Sequence, residues 1–150
     1  MFKKILISTD GSALSNQAAS AGIDFARAVG AEIVAVYVAQ PMEAFMGYDG
    51  AAVAYAENYE KDIADQAGKY LTHICDLAKA AGVKAQACTV TNFNAADGIM
   101  DAAADEHCDL IFIGSRGRSG LSRLLLGSVS ARVANLSHVS TLVYHVKKEG

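Results

Sequence analysis

Apolar residues fall along this chain in two alternating rhythms: short continuous runs, and longer stripes that repeat every three or four positions. Lys4–Thr9 is the first run, nearly all apolar, as suits a strand covered on both faces within a parallel sheet. Asp10-Gly11-Ser12 closes it, and Ser12 is placed to cap a helix. Leu14, Ala18, Ala21, Phe25 and Ala28 then form one apolar stripe of a helix that Gly30 stops. Glu32–Ala39 predicts a second buried strand. From Pro41 to about Ala51 the rhythm is lost, and Met42, Phe45, Met46 and Tyr48 sit among glycines and acids. That stretch reads as a loop, either a lid over a ligand or a patch for a partner.

Periodicity resumes through Tyr59, Ile63, Ala67, Tyr70, Ile74 and Leu77, a long helix ending at Ala81-Gly82. Its tyrosines, with Tyr55, belong to core or rim rather than to a stacking platform. Val83–Val90 alternates loosely and predicts a third strand. Asn94–Glu106 predicts a helix capped by Asn94, with Ile99, Ala102 and Ala103 inward. Asp109–Ile113 predicts a fourth strand. Gly127–Leu136 predicts a short helix with Val129, Val133 and Leu136 inward, and Thr141–Val146 a last strand before a polar tail. Strands alternating with helices of this length imply a parallel sheet with right-handed crossovers and helices on both faces. With no linker, repeat or low-complexity tract, residues 1–150 read as one domain.

Composition narrows the function classes. Hydrophobic residues are 52% and charged residues 19%, enough apolar material for a core without metals or disulfides. A formal net charge of -3, from 13 basic and 16 acidic residues, argues against a nucleic-acid binder working by bulk electrostatics. A local patch of Arg116, Arg118, Arg123 and Arg132 remains. Cys75, Cys88 and Cys108 show no Cys-x-x-Cys spacing and read as buried or half-buried thiols of a reducing compartment. His73, His107, His138 and His145 share no ligand spacing. Met1-Phe2-Lys3-Lys4 runs straight into the first strand, so no leader peptide is expected, and no apolar run nears the ~20 residues that span a bilayer. A cytoplasmic protein without membrane insertion is the expectation.

In an open parallel sheet, ligands bind beyond the carboxyl ends of the strands where strand order reverses. That rule singles out Thr9-Asp10-Gly11-Ser12, Val38-Ala39-Gln40 and the segment from Gly114 onward. Gly114 and Gly117 allow close backbone approach, and Gly127-Ser128 opens a helix whose N–H groups and positive dipole end suit an anion. The hydroxyls of Ser128 and Ser130 add donors. An isolated Gly-x-x-Gly usually only makes a turn, but a strand before it, a helix after it and Gly-Ser-x-Ser at its mouth favour phosphate binding. Other phosphate signatures are missing: no Gly-x4-Gly-Lys loop, no Gly-x-Gly-x-x-Gly after the first strand and no Gly-x-Ser-x-Gly elbow. Asp10 could coordinate Mg²⁺ between phosphates, hydrogen-bond a ribose, or serve the turn alone.

Gly114-x2-Gly117-x9-Gly127-Ser128, the opening Lys-Ile-Leu-Ile-Ser-Thr-Asp-Gly-Ser and Val36-Tyr37-Val38 together resemble the universal stress protein family, in its ATP-binding branch. The resemblance covers essentially the whole chain. It implies a Rossmann-like, adenine nucleotide alpha hydrolase-like three-layer sandwich, with five parallel strands in the order 3-2-1-4-5. It further implies a homodimer formed through the last strand. On it, ATP is the expected nucleotide, with Asp10 at the ribose or phosphate region and Val38 meeting the adenine through its backbone; Thr9, beside Asp10, is counted in the candidate site. Gly114, Gly117, Gly127, Ser128, Val129 and Ser130 are expected around ribose and phosphates, and Arg116 of the arginine patch is a further candidate for phosphate. His138-Val139-Ser140-Thr141 replaces a proline common in relatives, which bears on the geometry before the last strand.

The resemblance implies a regulatory module whose ATP occupancy alters contacts with an unidentified partner protein. Efficient turnover is not expected, because only Asp10 offers itself as a base. Slow hydrolysis, or self-phosphorylation on Ser128 or Ser130, is the enzymatic alternative. A ligand-free interaction module is the third.

Overall fold

A computed structural model of the chain describes residues 1–42, 52–116 and 126–147, with the side chains of 52–56 outside that description. Strands and helices alternate as β1 (Lys4–Thr9), α1 (Ala13–Val29), β2 (Glu32–Ala39), α2 (Ala52–Ala80), β3 (Ala85–Thr91), α3 (Ala95–Asp105), β4 (Leu110–Gly114), α4 (Ser128–Leu136) and β5 (Ser140–Tyr144). All five strands are parallel, in the order β3-β2-β1-β4-β5. The apolar runs of β1, β2 and β4 are buried because helices cover both faces. Ile5, Ile7, Ile33, Ala35 and Phe112 pack against α1 and α2 on one face. Leu6, Val34, Val36, Ile111 and Ile113 pack against α3 and α4 on the other.

Helix ends follow local chemistry. Ser12 caps α1 and Asn94 caps α3, each side chain accepting an N–H from three residues ahead. After α1 and α2, Gly30 and Gly82 adopt φ of 74° and 75°. Ala31 N–H then donates to the Ala26 carbonyl and Val83 N–H to the Ala78 carbonyl, which closes each helix. Val83 thus completes the end of α2, and β3 starts two residues later than the expected Val83. His107 fills the same left-handed position after α3, at φ 57°.

Two expectations about faces shift. The buried side of α1 is Ser15, Ala18, Ala19, Gly22, Ile23 and Ala26, rotated from the expected Leu14–Phe25 stripe. Gly22 is the cause: a Cβ there would lie 2.8 Å from Ile7 Cδ1 and 3.0 Å from Phe112 Cδ1, so the helix rests on its glycine. In α4, Ser130 and Val133 carry the buried side, while Leu136 at the last position is 51% exposed. No helix among the described residues is long and apolar enough to cross a membrane.

Candidate functional site

A cavity of about 320 Å³ opens at the carboxyl ends of β1, β2 and β4, within the size range usual for small-molecule sites. Ser8, Thr9 and Asp10 line it from β1, Ser15 and Ala18 from α1, and Val38 from β2. Ala95 and Ile99 reach it from α3, Ile113, Gly114 and Arg116 from the end of β4, and Gly127–Ser130 from the start of α4. Thr9, Asp10, Val38, Gly114, Arg116, Gly127, Ser128, Val129 and Ser130 line this cavity, whereas Gly11, Ser12, Ala39 and Gln40 do not, and Gly117 lies outside the described residues together with Arg118, Arg123 and 43–51.

The turn after β1 is fastened by its own side chains. Asp10 Oδ1 accepts the Ser12 N–H at 2.9 Å, and Thr9 Oγ1 accepts the Gly11 N–H at 3.0 Å. The Ser15 hydroxyl donates to Thr9 Oγ1 at 3.1 Å and accepts the Asp10 N–H at 3.1 Å. Gly11 sits at φ 80°, and the Tyr70 ring of α2 occupies the space its Cβ would need. Tyr70 in turn packs on Tyr37, ring centroids 5.7 Å apart. Ser15 was not legible as a site residue, and Tyr70, expected at core or rim, supports the turn without lining the cavity. The only available signal was the Ser12-x-x-Ser15 spacing at the helix start.

The junction of β4 with α4 is built around Ser115, 2% exposed. Its N–H donates to the Tyr144 carbonyl at 2.7 Å, and its hydroxyl accepts the Val146 N–H at 3.1 Å. Its carbonyl accepts the Gly127 N–H at 2.7 Å and the Ser130 hydroxyl at 2.9 Å. Ser130 Oγ also lies 3.0 Å from the Gly127 carbonyl. A hydroxyl has one proton, and these two carbonyls share it, so Ser130 clamps the junction instead of offering a donor to an anion. Among the described residues, donors toward the cavity at this end are the backbone of the first turn of α4, the exposed Ser128 and Arg116. Among the described residues no side chain caps α4. Arg116 donates to the Val146 carbonyl at 3.3 Å while lining the cavity.

Arg132 separates from the arginine patch. It pairs with Asp97 at 3.0 Å and joins α4 to α3. Asp10 is the one carboxylate lining the cavity among the described residues. Magnesium is commonly held by one or two carboxylates plus substrate phosphates, so this donor suits a metal that arrives with its nucleotide. No group of three His, Cys, Asp or Glu side chains among the described residues suits a metal by itself. The thiols lie away from the cavity. Burial, the largest cause, pushes Cys108 up to about 11, with Lys4 acting in the opposite sense. Cys75 and Cys88 are also raised, first by burial and then by neighbouring carboxylates.

A profile of the universal stress protein family matches residues 1–145. A universal stress protein of Methanocaldococcus jannaschii is 34% identical over 148 residues, covering 99% of this chain and 84% of its own length. YxiE, a universal stress protein of Bacillus subtilis, is 33% identical over 146 residues, with 95% and 99% covered. Among solved structures, the hypothetical protein MJ0577 superposes with a TM-score of 0.83 at 26% identity over 99% of both chains. A universal stress protein in complex with cAMP superposes at 0.68 with 27% identity, over 97% of this chain and 98% of its own.

Proposed function

The chain belongs to the universal stress protein family, and from that premise we propose that its cavity binds ATP, with Mg²⁺ entering at Asp10. The observation that carries this reading is the division of one cavity into two chemistries. On the β2 and α3 side, Val38, Ala95 and Ile99 make an apolar wall that suits a flat base. On the β4 and α4 side, Gly114, Arg116 and the first turn of α4 bring backbone, guanidinium and a positive helix end to one place, which suits phosphates. Thr9 and Asp10 lie between them at the end of the central strand, where a ribose would join the two. The relative in complex with cAMP supports adenine as the base.

Within this reading the chain's own groups bind and orient. The Ser15 and Ser115 networks hold the two turns before any ligand arrives, which lowers the ordering cost of binding. Nucleotide occupancy then regulates contacts with a partner protein in the cytoplasm. β5 is an edge strand, with Tyr144 37% exposed, which supports pairing with a second copy along that edge. The direct test is chromatography of acid extracts from the freshly purified protein. Adenine nucleotide in near-stoichiometric amount supports the proposal. Extracts without nucleotide, from protein that also fails to take up added ATP, contradict it.

A further inference from the structure

Gly98 stands inside α3, where glycine is less favourable than any residue but proline. Its backbone does not require glycine, since the positive-φ glycines described are Gly11, Gly30 and Gly82. Its surroundings do. A Cβ at this position would lie 2.7 Å from Val38 Cγ1, 3.0 Å from Val38 Cγ2 and 3.2 Å from Asn92 Cβ. Val38 lines the cavity, and so do Ala95 and Ile99 of the same helix.

We propose that Gly98 sets the depth of the base-binding end of the cavity by making room for Val38, and is thereby a positioning residue for base selectivity. This rests on reading the cavity as an adenine-nucleotide site. Val38 has little freedom to yield: its side chain is β-branched, and its strand pairs with β3 in register Val38↔Val90. A methyl group at 98 either drives Val38 toward the cavity or lifts α3, which moves Ala95 and Ile99. Both outcomes deform the apolar wall. Neither acts directly on Gly114, Arg116 or the first turn of α4, which lie outside α3; α3 meets α4 further along, through the Asp97–Arg132 pair. Base-dependent binding and phosphate-dependent binding are therefore separable at this residue.

The test is calorimetric titration of the folded protein with ATP, GTP and inorganic tripolyphosphate. Gly98→Ala is expected to weaken ATP about tenfold, a modest penalty for an overpacked contact, and to leave tripolyphosphate unchanged. Gly98→Ala combined with Val38→Ala is expected to recover most of the ATP affinity, because the second change vacates the space the first one fills. Val38→Ala alone, which leaves the helix untouched, is expected to narrow the preference for ATP over GTP. ATP affinity unaffected by Gly98→Ala overturns the inference, as does an equal loss for ATP and tripolyphosphate. So does a Val38→Ala variant with unaltered preference. Failure of the unmodified protein to bind ATP overturns the nucleotide reading itself, and this inference with it.

Discussion

The hydroxyl of Ser130 donates to the carbonyl of Ser115 at 2.9 Å, and this bond ties the first turn of α4 to the end of β4. Both residues are 2% exposed, and Ser115 also holds the strand end at Val146, so one buried node joins the phosphate side of the cavity to the edge strand. Ser130→Ala should therefore cost about 1 kcal/mol of stability in the nucleotide-free protein, the usual worth of one such bond. The loss is modest because the Ser115 carbonyl keeps the Gly127 N–H and the Gly127 carbonyl keeps the Ala131 N–H. Urea unfolding measures it, and Ser130→Thr should preserve most of the bond. An effect seen only when nucleotide is present would make Ser130 a ligand and not a clamp.

Gly11→Ala should be more damaging. The new methyl meets the Tyr70 ring, and the φ of 80° is one that side-chain-bearing residues seldom adopt. The two penalties together predict a loss of about 2–4 kcal/mol, read as a lower urea midpoint. ATP affinity should fall as well, because Asp10 is the preceding residue. Unchanged stability would mean that the turn and ring relax without cost.

The arginines should separate by function. Arg116→Ala is expected to weaken ATP about tenfold, as for loss of a charge-assisted hydrogen bond. Arg132→Ala should leave ATP affinity as it was and cost only about 0.2–1 kcal/mol of stability, because its pair with Asp97 is solvent-exposed. Parallel titrations of the two variants decide the matter. Equal losses of affinity would contradict the assignment.

Cys108 makes the fold sensitive to alkali. Its folded-state value, about 11, lies above that of an unfolded thiol, so between about 9 and 11 the folded chain holds a proton that the unfolded chain has released. More protons on the folded form means that stability falls as pH rises through this window. Below it, the thiol contributes no slope. Urea midpoints measured from pH 8 to 11 should decline less steeply in Cys108→Ala than in the unmodified protein. Identical slopes would show that the buried thiol is not the titrating group.

Much of this was written locally in the sequence. Ser12, Gly30, Asn94 and Gly127 mark helix ends through chemistry that acts within a turn, so their roles could be read directly. Ligand sites of open parallel sheets lie beyond strand ends where strand order reverses, which singles out Asp10, Val38 and Gly114, and all three line one cavity. What escaped depends on distant partners. Ser115 meets Tyr144 and Val146, Gly11 meets Tyr70, and Gly98 meets Val38, contacts that no local spacing announces. The rotated face of α1 has the same origin, since Ile7 and Phe112 select Gly22 from a broad small-residue arc. Arg132 leaves the arginine patch because neighbours in sequence need not share a direction once a helix turns them.

Calorimetric titration of the nucleotide-stripped protein with ATP and Mg²⁺ tests the central claim most directly. Saturable binding of one ATP per chain is predicted, with tripolyphosphate alone binding more weakly because it leaves the Val38 wall empty. A folded protein that gives no saturable heat with ATP would contradict the account.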